Sequence, residues 1–139
     1  MKQIIFIIAI LLLHTQTMAQ GDGAGRVREL RIAYVKSKLQ LSETQANSFW
    51  PLYANYLNEK SALRLQYRDQ FKQNNNELLS QSEAYKKVDD NFEYKEKDLA
   101  LSKRYKVAFL KILTPQQLAI LYQSEQEFKQ MLLQRLKGR

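Results

Sequence analysis

One five-residue phrase occurs twice in this chain, as Leu41-Ser42-Glu43-Thr44-Gln45 and as Leu113-Thr114-Pro115-Gln116-Gln117, each time at the head of a long amphipathic run. Each copy reads as a capping box with a hydrophobic staple. The Ser42 or Thr114 hydroxyl accepts from the backbone N–H three residues on, and the side chain of Gln45 or Gln117 reaches back to the N–H of the capping residue. Leu41 and Leu113 precede the caps, where they can pack on Ala46 and Leu118 and set the angle of chain entry. Pro115 falls at the first helical position, where a missing N–H costs nothing. Two helices therefore have defined starts.

The remaining pattern is helical as well. Four glycines and two prolines are spread over 139 residues, strand-like alternation is nowhere sustained, and apolar residues recur at helical spacing. The chain reads as all-α with four helices. The first, from about Arg26 to Gln40, carries Val27, Leu30, Tyr34 and Leu41 on one stripe and Ile32, Val35 and Leu39 on the next. The second starts at Ser42 and aligns Ala46, Phe49, Trp50, Tyr53, Tyr56, Leu57, Leu63, Tyr67 and Phe71, until the polar run from Gln73 to Asn76 ends it. Ser80-Gln81-Ser82-Glu83 is a third capping box. It opens a helix with Tyr85, Val88, Phe92, Leu99, Phe109 and Leu113 on its apolar side, with Lys95 and Ser102 interrupting the stripe. The fourth runs from Pro115 through Leu118, Leu121, Tyr122, Phe128, Leu132 and Leu136. Long helices joined by short turns predict an open, curved, antiparallel hairpin array that completes its burial by dimerising.

Pro51 contradicts its neighbourhood, since an interior proline removes the bond to the Asn47 carbonyl at about 3 kcal/mol. Either the second helix kinks there or it stops at Trp50 and restarts. In both cases Phe49, Trp50, Pro51 and Tyr53 lie at a bend, with the aromatic rings expected in the core.

Lys2, the ten-residue apolar run from Ile4 to Leu13 and the small-residue site Thr17-Met18-Ala19 have the order of an export signal. Cleavage after Ala19 leaves a short flexible stretch over 20–25, a single domain over 26–139 and a periplasmic or secreted protein. The alternative is a retained anchor, for which ten residues are too few to span a bilayer. With Lys2 removed, 21 basic residues face 14 acidic ones, a net charge of +7. The surplus gathers in two clusters. Arg26, Arg28, Arg31, Lys36 and Lys38 are broken only by Glu29, and Lys103, Arg104, Lys106 and Lys111 lie in a stretch without any acid from Leu99 to Ile112.

An enzyme is not expected. The only His, His14, leaves with the signal and there is no Cys, so triads built on either are impossible and no disulfide forms. Asp89-Asp90 reads as a solvated pair. Met131 and carboxylates make no soft metal site, and no Gly-rich phosphate loop occurs, so neither metal nor cofactor is expected.

The pair LSETQ and LTPQQ, after an export signal in a small, basic, Cys-free helical chain, resembles the two LTxxQ motifs of the Spy/CpxP family of periplasmic stress proteins. The resemblance covers the whole mature chain, with Ser42 standing where the motif has Thr. The run from Phe49 to Tyr53 also resembles a branch labelled as sensors of extracytoplasmic-function sigma factors. The resemblance implies a cradle-shaped, intertwined homodimer that binds unfolded or misfolded envelope proteins without ATP, or a regulator acting on a stress sensor or anti-sigma system. Arg28, Arg31, Lys36, Lys103, Arg104 and Lys106 are the candidate client-binding residues, and Leu41, Ser42, Gln45, Leu113, Thr114 and Gln117 the structural motif. Contact with an anionic membrane surface is a third reading, and export disfavours nucleic acid.

Overall fold

A computed structural model describes residues 23–68 and 79–138. The expected export signal, Phe71 and the asparagine run lie outside the described residues, which form four α-helices and no strand. They are α1 (Gly23–Lys38), α2 (Glu43–Gln66), α3 (Gln81–Phe109) and α4 (Pro115–Lys137).

The capping boxes set three of the four starts. Ser42, Ser80 and Thr114 are the N-caps of α2, α3 and α4, and in each the hydroxyl accepts from the third helical N–H while the Gln or Glu at that position accepts from the cap N–H. The first helix begins at Gly23, ahead of the expected Arg26, and continues through Gly25, whose penalty of about 1 kcal/mol does not stop the hydrogen-bond ladder. The second helix is continuous through Pro51, so a restart at that residue does not occur. Pro51 and Asn47 both lie on the exposed side, where water can reach the carbonyl that proline leaves unpaired.

Two helix pairs carry the packing, α1 on α4 and α2 on α3. Contacts between α2 and α3 run in opposite directions: Phe49 meets Phe109, Tyr56 meets Tyr105, and Tyr67 meets Tyr94. The core lies toward the capped ends. Val35 and Leu39 meet Phe49, Tyr53, Tyr56 and Leu57 from α2, Tyr105 and Phe109 from α3, Leu113, and Leu118 and Leu121 from α4. Phe49 and Tyr53 stack at 5.5 Å between centroids, and Phe109 meets Tyr56 edge-on at 5.6 Å. Each such fully buried side chain contributes roughly 1.5–3 kcal/mol. The core is a continuous aromatic stack capped by leucines.

Two expected faces turn out differently. In and just after α1 the side carrying Val35 and Leu39 is buried, whereas on the neighbouring stripe Tyr34 packs on Phe128 and Glu127 of α4 and Leu30 is left 48% exposed. In α3, Tyr105 and Phe109 are buried, but Tyr85, Val88, Phe92 and Leu99 are between 53% and 66% exposed. The physical reason is orientation first and length second. Tyr85, Val88, Phe92 and Leu99 turn away from the side carrying Tyr105 and Phe109, so Phe109, expected on their stripe, is on the packed side instead. Described contacts between α2 and α3 also end at Tyr67 with Tyr94 and Lys97, which leaves the first turns of α3 extending past them by about 20 Å at 1.5 Å per residue.

Candidate interaction face

The two motif glutamines meet. Gln45 Nε2 donates to Gln117 Oε1 at 2.9 Å, and Gln117 Nε2 donates back to Gln45 Oε1 at 3.2 Å. Each also donates to the backbone ahead of the other motif, Gln45 to the Ile112 carbonyl and Gln117 to the Gln40 carbonyl, both at 2.9 Å. Each Oε1 additionally accepts the N–H of its own cap. A helix cap has become a clasp between two helices. Leu113 and Leu118 are buried beneath it, and Leu41 packs on the core from the other side.

The clasp sets a register. Gln45 and Gln117 are 72 residues apart in sequence, and so are Tyr53 and Glu125, which meet two turns further on when the Tyr53 hydroxyl donates to Glu125 Oε1 at 2.9 Å. Helices α2 and α4 therefore run side by side in the same direction from paired starts. Burial pushes the Tyr53 phenol up, and the neighbouring Glu125 carboxylate adds to it. Burial raises the Glu125 carboxyl as well, opposed by the Tyr53 hydrogen bond and by the charges of Arg31 and Lys60. Glu125 carried no signal of its own in sequence. Its spacing from Tyr53, equal to that of the motifs, was the available clue.

The six candidate basic residues are not brought to one place. Arg28, Arg31 and Lys36 lie on α1, which packs on α4, whereas Lys103, Arg104 and Lys106 lie on α3, which packs on α2. Within each group arginines and lysines behave differently. Arg28 donates to the Ala54 carbonyl at 3.4 Å, Arg31 lies 5.7 Å from the Phe128 ring centroid, and the Nε atoms of both are buried without a hydrogen-bond partner. Arg104 pairs with Glu59, whose carboxyl is held below its ordinary value first by the Tyr105 hydroxyl and then by Arg104. Lys36 sits exposed over partly buried Trp50 at 5.1 Å from the centroid, while Lys103 and Lys106 are exposed. The arginines act as packing and pairing groups, and the lysines remain open to solvent.

The outward side of α3 gathers what is left. Tyr85, Val88, Phe92, Leu99, Lys103, Lys106 and Leu110 follow one another at steps of three, four or seven residues, so they share a face opposite buried Tyr105 and Phe109. Lys95 fills the one gap and lies over the Phe92 ring at 5.5 Å. The stripe is apolar and aromatic in its first half and lysine-rich in its second. Exposed apolar side chains grouped on one face of a small domain make that face a candidate contact surface.

Among the described residues no group of His, Cys, Asp or Glu is placed to hold a metal ion, and no helix is long and apolar enough to cross a membrane. Comparisons with protein-family models, with curated proteins and with solved structures return no match for this chain.

Proposed function

We propose that this protein is an ATP-independent, chaperone-like protein of the periplasm that holds unfolded or misfolded envelope proteins, as its resemblance to the Spy/CpxP family implies. The observation that supports the reading is the outward face of α3, where exposed Tyr85, Val88, Phe92 and Leu99 lead into solvated Lys103 and Lys106. Unfolded chains offer apolar segments and scattered acidic groups. A ridge with both features and no deep pocket suits weak, unselective capture, in which lysines draw a client in and aromatic side chains hold it.

The homodimer belongs to the same reading. The curved, intertwined cradle that the resemblance implies would need a second copy that leaves Tyr85 to Leu99 uncovered, since that stripe is the surface assigned to clients. Lys36, Lys103 and Lys106 would stay open to clients. Arg28, Arg31 and Arg104 would then shape the surface more than they touch what binds it.

The test is suppression of aggregation by the chain from Gln20 onward, using several unrelated unfolding clients. Protection of most of them, weakening as salt rises, is the expected result. Protection of none, together with a tight complex with one envelope sensor or anti-sigma protein, replaces the chaperone by the regulator. Sedimentation velocity reads the dimer independently.

A further inference from the structure

We infer that the last turns of α3 form a docking strip for the surface of an anionic phospholipid bilayer. Lys103, Lys106, Val107 and Leu110 stand at positions i, i+3, i+4 and i+7 of one helix and so share one side, and Lys111 follows in the turn. All three lysines are exposed, and none makes an ion pair among the described residues. No acid occurs from Leu99 to Ile112, and the one arginine in this stretch, Arg104, faces away to Glu59. Between the lysines, Val107 is 60% exposed and Leu110 40%.

A solvated helix end explains part of this pattern. Cations near a helix C-terminus are favoured by the backbone dipole, but that effect fades within the last turn, so it covers Lys106 and Lys111 and leaves Lys103 unexplained. It gives no reason for two uncovered aliphatic side chains in the middle of the charged strip. An anionic bilayer explains both. Lysine stems can lie along the headgroup layer with their ammonium groups on phosphates, while Val107 and Leu110 enter the shallow apolar boundary beneath.

The shape favours a plane over a folded protein. The strip lies on one helix, and neither the shallow depression around Leu79 and Phe92 nor that around Leu63 and Arg104 is lined by Lys103, Lys106, Val107 or Leu110. A protein partner needs pockets for its anchoring side chains. A bilayer needs none. This docking does not depend on whether the chain holds unfolded clients.

The strip is tested with the chain from Gln20 onward, which keeps every residue of the described core, by co-sedimentation with phosphatidylglycerol–phosphatidylcholine vesicles and with pure phosphatidylcholine vesicles. One lysine near an anionic surface multiplies binding about fivefold, so three lysines give a preference on the order of a hundredfold at low salt. Lys103→Glu with Lys106→Glu should abolish that preference. Lys36→Glu with Lys129→Glu, an equal change of net charge on α1 and α4, should leave it within a few-fold. Val107→Ser with Leu110→Ser should weaken binding about tenfold with the charge untouched, and helicity of each variant is checked by circular dichroism. Equal binding to both vesicle types, binding to neither, or equal losses from the two charge reversals would overturn the inference. If the Lys103 and Lys106 variant fails to fold, the serine variant decides, and unchanged binding by it counts against the strip.

Discussion

Removing Gln117 should cost far more than removing an ordinary helix cap, and its cost should depend on whether Gln45 is present. The side chain of Gln117 makes four hydrogen bonds: it accepts from the Thr114 N–H at 3.0 Å and from Gln45 Nε2 at 2.9 Å, and it donates to the Gln40 carbonyl at 2.9 Å and to Gln45 Oε1 at 3.2 Å. The bonds to Thr114 and Gln40 are exposed, so water replaces them at little cost. The two bonds to Gln45 are partly buried, and each is worth about 1 kcal/mol net. Gln117→Ala should therefore destabilise by about 2–3 kcal/mol, against about 1 kcal/mol for loss of the cap hydroxyl in Thr114→Ala. Gln45→Ala should cost about 3 kcal/mol, because it also strands the partly buried Ile112 carbonyl. Both single variants remove the same two mutual bonds, so the double variant should fall short of the sum by about 2 kcal/mol. Urea unfolding followed by far-ultraviolet circular dichroism measures all three, and Thr44→Ala, exposed within the same motif, is the control expected within about 0.5 kcal/mol of wild type. Additivity of the two glutamine variants within about 0.5 kcal/mol would refute the clasp.

Three further outcomes follow from the geometry. Pro51→Ala restores the hydrogen bond to Asn47 on an exposed helix face, and thermal melts should show stabilisation of about 2 kcal/mol once the stiffer unfolded chain of the proline form is allowed for; a lower melting temperature would contradict the continuous helix. Burial raises the Glu125 carboxyl above its ordinary value of 4.5, so its favourable contribution is complete below that value and lost as pH rises through the raised one. Glu125→Gln should accordingly gain on wild type as pH goes from about 4 to 7, and a stability difference that does not change with pH would remove the buried-carboxylate reading. Tyr85→Ser with Phe92→Ser changes exposed positions and should leave unfolding within about 0.5 kcal/mol of wild type while lowering protection of aggregating clients several-fold; undiminished protection would move the client site off α3.

Local chemistry made three helix starts legible. A capping box is written within four residues, so Ser42, Ser80 and Thr114 could be identified without knowing what the helices pack against. The core face of α2 was legible too, because Phe49, Tyr53, Tyr56 and Leu57 leave no other apolar side. In α1 two adjacent stripes were both plausible, and nothing local chose Val35 and Leu39 over Leu30. In α3 a single apolar stripe from Tyr85 to Phe109 was expected, and the structure splits it. Phe109 turns to the core with Tyr105, while Tyr85, Val88, Phe92 and Leu99 lie on another side that no described partner helix covers.

Sequence by itself determined the helical class, three of the four helix starts and the basic surplus, since each depends on residues within a turn or two of one another. Tertiary structure decided that the motif glutamines bind each other, that arginines of the basic clusters are spent on packing and pairing, and that lysines and an apolar stripe are left open on α3. Those outcomes depend on which distant segment arrives opposite each side chain. Periodicity tells a helix which of its sides is apolar, but only the reach and placement of its neighbours determine whether that side becomes core or surface.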